Sequence, residues 1–340
     1  MTDDEVLIRR EGRAGRITMN RSKALNALTY PMVERIAAAL TMWRADPAIA
    51  LVVLDGAGDR ALCAGGDVLA LTATHNEGSA FVRRFWADEY RLNAAIHRFP
   101  KPFVAIQDGI VMGGGIGLSS HASHRVVTER STLAMPETGI GLIPDVGGTW
   151  LLGHAPGQLG VYLGLTGERM NGSDAIQTGF SATYVASAKL ELLKARLAAA
   201  DGGPVDEILD EMEDVVPPSP LAAKRELIDR VFAGATVEAI LAALLTTTDE
   251  FAQRARQALL TKSPRASMLT LRAIRDARRL PNLEAALKVE YRLVVRLFED
   301  GEFNEGVRAL LVDKDKTPKW LPLAPADPYF APLPGGDLTF

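Results

Sequence analysis

Two acids eight positions apart, Glu137 and Asp145, stand in the segment AMPETGIGLIPDVGG (134–148), whose other residues are glycine, proline, threonine and apolar side chains. After Asp145 the next formal charge is Glu168. Carboxylates in such surroundings are solvated at a loop tip, paired with a base from elsewhere in the chain, or held for chemistry. Desolvation disfavours the ionised form and moves a carboxyl pKa towards neutrality, where proton transfer is efficient.

Two glycine clusters are the second candidate for chemistry: ALCAGGDV (61–68) and DGIVMGGGIGLSS (108–120). Each follows an apolar strand-like run, where a strand hands over to a helix. Glycine there lets bare backbone N–H groups approach a ligand, and the helix dipole adds partial positive charge. The P-loop pattern needs a following Lys-Ser/Thr, which is absent, and MGGGIG fails the dinucleotide spacing. Two such N–H groups converging on one carbonyl oxygen would instead form an oxyanion hole, each donor worth about 3–4 kcal/mol in the transition state. Tight helix–strand packing is the competing reason for the glycines.

Other polar groups have plainer readings. His121 and His124 lie three apart but lack a third ligand at metal spacing, so no metal is expected. Ser119 in GLSSH lacks the second glycine of a nucleophile elbow. Cys63 is read as a small core residue. RAIRDARR (272–279) is a basic helix turn, either a solvated face or a phosphate contact, and Glu89 in FVRRFWADEYRLN is by default an exposed helix acid.

These residues need a frame. A net charge of −4 gives no electrostatic reason to bind nucleic acid or an anionic membrane. No apolar run approaches the length that spans a bilayer, and the acidic N-terminus carries no export signal. One cysteine excludes an intramolecular disulfide and fits a reducing compartment, so a cytoplasmic location is expected. RITM (16–19), IALVVLDG (49–56), PFVAIQDG (102–109) and HRVVTE (124–129) read as strands. IALVVLDG is apolar on successive positions, as in a strand buried on both faces. Between the first two runs, Met32, Ile36, Leu40 and Trp43 define one face of a helix from about Thr29 to Asp46. Strand, helix, strand at this spacing predicts right-handed parallel crossovers and an α/β class. From residue 186 the pattern turns helical, with an exposed joint at VVPPSP and a proline-rich tail from Thr317. The expected division is therefore an α/β core over 1–185 and a helical part over 186–340.

AGGD (64–67), MGGGIGL (112–118), AMPETGIGLIPDVGGT (134–149) and LTGERMNGSDAIQTG (165–179) together resemble the crotonase superfamily of acyl-CoA enzymes. NRSKALNALT near the start, EYRLVVRLFEDGEFNEGVRALLVDKDKTPKW (290–320) and the terminal DLTF extend the likeness over nearly the whole chain. PETxIGLxPDVGG and FNEGVRALLVDKDxxPKW are similar to the 3-hydroxyisobutyryl-CoA hydrolase branch of that superfamily. The resemblance implies a spiral of β-β-α repeats with C-terminal helices. It implies an oxyanion hole from the N–H groups of Gly66 and Gly114, with Glu137 matching the second of the hydratases' two glutamates. The first falls on Gly117. Asp145 matches an aspartate of the hydrolase branch, and Glu89 a glutamate lining its acyl pocket. Lys23, Ala24 and Leu25 fall in the CoA-contacting segment.

The implied activity is hydrolysis of a short 3-hydroxyacyl-CoA thioester in valine breakdown. Glu137 would act as general base or nucleophile, Asp145 as orienting or proton-moving acid, and Glu89 as the partner of the 3-hydroxyl. CoA would enter as part of the substrate with no separate cofactor, and a homo-oligomer is expected. An enoyl-CoA hydratase or isomerase on the same scaffold is the main rival. A serine thioesterase built on Ser119 and His121, and a catalytically silent CoA-binding module, are the others.

Overall fold

The computed structural model describes residues 4–73 and 79–340. Among the described residues, ten strands form two sheets: β1 (Val6–Glu11), β2 (Ala14–Met19), β3 (Leu51–Gly56), β4 (Ala61–Cys63), β5 (Phe103–Gln107), β6 (Ile110–Met112), β7 (His124–Val127), β8 (Thr132–Ala134), β9 (Met170–Asn171) and β10 (Thr183–Tyr184). The six-stranded sheet runs β1-β2-β3-β5-β7-β10 and the four-stranded sheet β4-β6-β8-β9. Strands β2, β3, β5, β7 and β10 are parallel neighbours, and β1 is an antiparallel edge on β2.

The chain alternates between the sheets. β3 is followed by β4, β5 by β6 and β7 by β8, and the first two pairs lead into the helices Val68–Ala73 and Gly114–Ser119. This is a β-β-α repeat. Each glycine cluster therefore lies at the exit of a short strand, as its sequence position predicts.

The described residues divide into two compact units, each discontinuous in sequence. One comprises Met1–Gly66, Arg91–Leu133 and Met170–Ser219, the other Asp67–Tyr90, Ala134–Arg169 and Pro220–Phe340. The first holds the six-stranded sheet. The predicted 29–46 helix spans Tyr30–Ala45, with Met32, Ile36, Leu40 and Trp43 all buried. Trp43 lies against β2 at Gly15, where a Cβ would stand 2.5 Å from the indole. Elsewhere in this unit Leu51, Val53, Val104 and Ile106 pack with Leu193, Leu197, Ile208 and Leu209 of the helices Leu190–Ala199 and Val205–Met212. β3 is buried at five consecutive positions, the reason its sequence does not alternate.

Residue 186 thus falls inside the first unit, because the two helices after it close that unit's core. The last of the boundaries between the units falls at Ser219/Pro220, within the proline-rich stretch read as a joint. The second unit is mainly helical, built on Ala80–His97 as far as Tyr90, Gly148–His154, Leu159–Thr166, Pro264–Ala277 and Leu283–Glu299. The segment of Glu137 and Asp145 belongs to it.

Candidate active site

Glu137 opens the 3-10 turn Glu137–Ile140, which ends at Gly141 in the left-handed region (φ 74°). Two glycines seat this turn against the helix Glu302–Val307. A Cβ on Gly141 would stand 2.4 Å from the Glu302 carbonyl oxygen, and one on Gly306 would stand 2.3 Å from the Ile140 carbonyl carbon. PETGIG and FNEG are complementary halves of one contact.

Asp145 follows Pro144 and precedes Val146, a β-branched residue held left-handed at φ 51°. Such a conformation is a genuine outlier for valine and persists only where its surroundings over-determine it. Gly147 (φ 82°) then leads into the helix Gly148–His154. The over-determination comes from Glu290 of the helix Leu283–Glu299. Its Oε2 accepts the Gly147 N–H (2.7 Å), and its Oε1 accepts the Thr149 N–H (2.9 Å) and the Thr149 hydroxyl. The turn is further closed by the Gly148 N–H on the Asp145 carbonyl (2.6 Å).

Glu89 and Tyr90 reach the same place from the helix Ala80–His97. The Tyr90 hydroxyl donates to Asp145 Oδ2 at 2.6 Å. Four carboxyls and a phenol are thereby gathered in the helical unit, with relative exposures of 6% for Glu137 and Asp145, 3% for Glu89 and 0% for Tyr90 and Glu290. Glu137 Oε2 has no hydrogen-bond partner among the described residues. The reading of Glu89 as an exposed helix acid fails, because it falls on the apolar stripe of its helix with Val82, Phe85 and Trp86.

Burial is the largest influence on every member. It raises Glu137 well above the ordinary glutamate value, with the Asp145 charge adding to it. Burial likewise raises Glu89, again with Asp145 adding. Asp145 is pushed up to about 6 by burial, against the pull of the Tyr90 hydrogen bond. Glu290 is raised to about 8 by burial despite the three bonds it accepts. Tyr90 is raised well above 10.0, so it stays a protonated donor throughout the working range. Neighbouring buried carboxyls titrate as a pair, and such a pair retains a proton at pH values where isolated acids have lost theirs.

Lys262 supplies the cation absent from the 134–148 segment. Its ammonium lies 3.6 Å from where a Cβ would stand on Gly139 and 3.4 Å from that of Gly167. Burial lowers its pKa, while the charges of Glu168 and Glu137 act in the opposite sense. Sequence reasoning passed over Tyr90, Lys262 and Glu290. A signal existed for Glu290: it lies on the buried stripe Leu283, Ala286, Leu287, Tyr291, Val294 of its helix, where an acid is out of place.

The glycine candidates lie in the other unit. Leu28 donates its N–H to the Gly65 carbonyl (2.8 Å) and bridges to Gly66. A Cβ at Gly66 would meet nothing within 4 Å, so packing does not require glycine there. At Gly115 it does: a Cβ would stand 2.3 Å from the Cys63 carbonyl oxygen. Gly113 is left-handed at φ 47°, which leaves Gly114 as the first residue of the helix Gly114–Ser119. Gly117 is buried in that helix, with no side chain at the position of the hydratases' first glutamate.

Lys23, Ala24 and Leu25 form a 3-10 turn and its left-handed cap. Lys23 and Leu25, but not Ala24, line a cleft of about 260 Å³ that also presents Asn26, Gly58, Asp59 and Arg60.

Several other candidates are occupied by structure. Ser119 is fully buried, donating to the Gly115 carbonyl (2.6 Å) and accepting from Gln107 Nε2 (3.0 Å), which removes it as a nucleophile. His124 bonds Ser123 Oγ (2.8 Å) and Asp206 (3.0 Å). In RAIRDARR, Arg272 pairs with Asp327, Arg275 donates to the Gly234 carbonyl and Arg278 to the Gly153 carbonyl. These cations tie the helical unit together. Among the described residues no cluster of three or more His, Cys, Asp or Glu could hold a metal ion, and no helix is long and apolar enough to cross a membrane.

A family model described as enoyl-CoA hydratase/isomerase matches residues 14–327. The chain belongs to the enoyl-CoA hydratase/isomerase family. Within this family it is 40% identical to the mitochondrial 3-hydroxyisobutyryl-CoA hydrolase of Rattus norvegicus, over 99% of this chain and 91% of that protein. It is 44% identical to a carnitinyl-CoA dehydratase from Mycobacterium thermoresistibile of known crystal structure, with a TM-score of 0.94 over 99% of each chain. An enoyl-CoA hydratase from Rhodobacter sphaeroides matches with the same identity and TM-score, over 99% of this chain and all of that one. The fold of this enoyl-CoA hydratase/isomerase family member is therefore the crotonase fold, an α/β architecture with a helical C-terminal part.

Proposed function

We propose that the chain hydrolyses a short-chain 3-hydroxyacyl-CoA thioester, converting 3-hydroxyisobutyryl-CoA to 3-hydroxyisobutyrate and CoA as a step of valine breakdown. The observation that carries this reading is the buried pair Glu137 and Asp145 in a chain whose position 117 is glycine. Addition of water across a double bond by two glutamates lacks one of its acids here. Thioester hydrolysis needs a base or nucleophile and a proton carrier, and the pair supplies both.

In this mechanism the N–H groups of Gly66 and Gly114 hold the thioester oxygen as negative charge develops on it. Glu137 takes a proton from the attacking water, or attacks the carbonyl carbon itself to give a mixed anhydride. In the first route the C–S bond then breaks and the proton taken from water passes to the CoA thiolate. In the second the thiolate leaves as the anhydride forms, and water cleaves the anhydride to release the acid and free Glu137, its proton passing to the thiolate. Asp145 orients or relays in either. Glu89, whose pKa is raised by burial, accepts a hydrogen bond from the substrate's 3-hydroxyl. The cleft at Lys23 and Arg60 suits the phosphates of CoA, which arrives with the substrate, and the mechanism calls for no further cofactor. We place the reaction in a reducing compartment, the cytoplasm, and expect a homo-oligomer.

The second reading, hydration or isomerisation of an enoyl-CoA, is favoured by the names of the two structural relatives. Thiol release from 3-hydroxyisobutyryl-CoA, run beside absorbance loss from crotonyl-CoA, separates the two. Rapid thiol release with unchanged crotonyl-CoA supports hydrolysis. Hydration without thiol release overturns it.

A further inference from the structure

Two carboxyls buried together cannot both ionise near neutrality, so something must decide which of them carries the charge. Glu137 Oε2 has no hydrogen-bond partner among the described residues. Asp145 Oδ2 accepts the Tyr90 hydroxyl at 2.6 Å, inside the buried cluster. Tyr90 is itself held in place. Its ring lies edge-on to Tyr291 with centroids 6.3 Å apart, and the Tyr291 hydroxyl donates to the Arg83 carbonyl (3.2 Å) two turns earlier on the helix of Tyr90. A donor bonded to the charged form of an acid favours that form.

We propose that Tyr90 is a positioning residue for the thioester chemistry: its phenol fixes Asp145 and makes Asp145, not Glu137, the charged member of the pair. Asp145 is then the acceptor for the proton that Glu137 must shed before it acts on water or on the thioester. The inference rests on the reading of Glu137 and Asp145 as the reacting acids. The ionisable groups around the pair are Glu89 on the helix of Tyr90, Glu290 and Tyr291 on the helix Leu283–Glu299, and Lys262, whose charge acts on Glu137. Among the carboxyls of this cluster, Asp145 is the one that accepts a phenol.

The test is a ¹³C titration of the full chain labelled at aspartate carboxyls, in wild type, Tyr90→Phe and Asp145→Asn. The resonance missing from Asp145→Asn belongs to Asp145. Burial is expected to set its midpoint at about 6 in the wild type, and the midpoint should rise by about one pH unit in Tyr90→Phe, the scale of one hydrogen bond to a charged group. An unmoved midpoint in a folded Tyr90→Phe variant overturns the proposal. Substrate is not needed, so this outcome is independent of whether the chain hydrolyses thioesters.

The pH dependence of kcat for thiol release then couples the two. The acidic limb in Tyr90→Phe should move with the resonance, with a loss of about fivefold at pH 6 that shrinks towards pH 8.5 and a KM changed less than threefold. A uniform loss at every pH means Tyr90 is merely structural and overturns the proposal. An acidic limb that persists in Asp145→Asn removes Asp145 from the reaction and overturns the functional reading instead.

Discussion

Glu137 illustrates how little chemistry a carboxyl needs around it once water is excluded. Its raised pKa follows from burial first and from the Asp145 charge second. Glu137→Gln keeps the shape and removes the base, so kcat for thiol release should fall about 10²–10⁴-fold, while calorimetric affinity for CoA is retained. Full activity in that variant would take Glu137 out of the mechanism. Glu137 and Asp145 were legible because acids are conspicuous in an apolar segment, and the resemblance supplied Glu89. Tyr90 and Lys262 were not legible. Their meaning depends on which atoms they approach, and nothing in EYRLN points 47 residues ahead to Glu137, nor anything in TKSP 125 residues back from Lys262 to Glu137; only folding brings these segments to the acids.

At the scale of elements, the helix Leu283–Glu299 anchors the acid segment through Glu290. The folded-state pKa of Glu290 is about 8 against an ordinary 4.5. The folded protein therefore binds more protons than the unfolded chain between those values. This contribution to stability is full below about 4.5 and is lost as the pH climbs through 8. Glu290→Gln cannot accept at both former oxygens, so it should melt lower than wild type and lose activity through a loosened Val146 turn. Its melting temperature should also fall less steeply than that of wild type between pH 5 and 8.5, narrowing the gap at high pH. A gap that widens with pH would contradict the assigned ionisation.

The seat of Glu137 is set by the glycine contact between its turn and Glu302–Val307. Gly306→Ala places a methyl against the Ile140 backbone, an overpacking of about 1–3 kcal/mol, and should lower both melting temperature and thiol release. The helix over 29–46, the helical run after residue 186 and the strands β2, β3, β5 and β7 were readable from period and apolar runs. The short strands β4, β6 and β8 were not, because three residues carry no period.

Across the whole molecule, the proline-rich tail does more than its composition suggests. Within the helical unit Arg292 donates to Asp337 and to the Phe330 carbonyl (2.9 Å each). Arg296 donates to the Tyr329 and Pro332 carbonyls (2.9 and 3.0 Å), and Arg265 to the Tyr329 hydroxyl (2.8 Å). Leu333 and Leu338 are buried. A chain ending at residue 320 should show a lower melting temperature and reduced kcat, although none of the removed residues belongs to the acid cluster. Unchanged values for both would make the tail dispensable. Turn-rich composition marked this stretch as irregular, but irregular backbone can be fully engaged by side chains from a neighbouring helix.

The interleaving of the two units also sets a timetable for synthesis. Glu89 and Glu137 leave the ribosome long before Glu290, and residues 329–337, which tie down the helix of Glu290, follow it. A nascent chain stalled before residue 283 carries Glu137 and Asp145 without the helix that anchors their segment. A stop just before residue 283 therefore yields a chain with every residue of the ten described strands and an acid segment that lacks its Glu290 anchor.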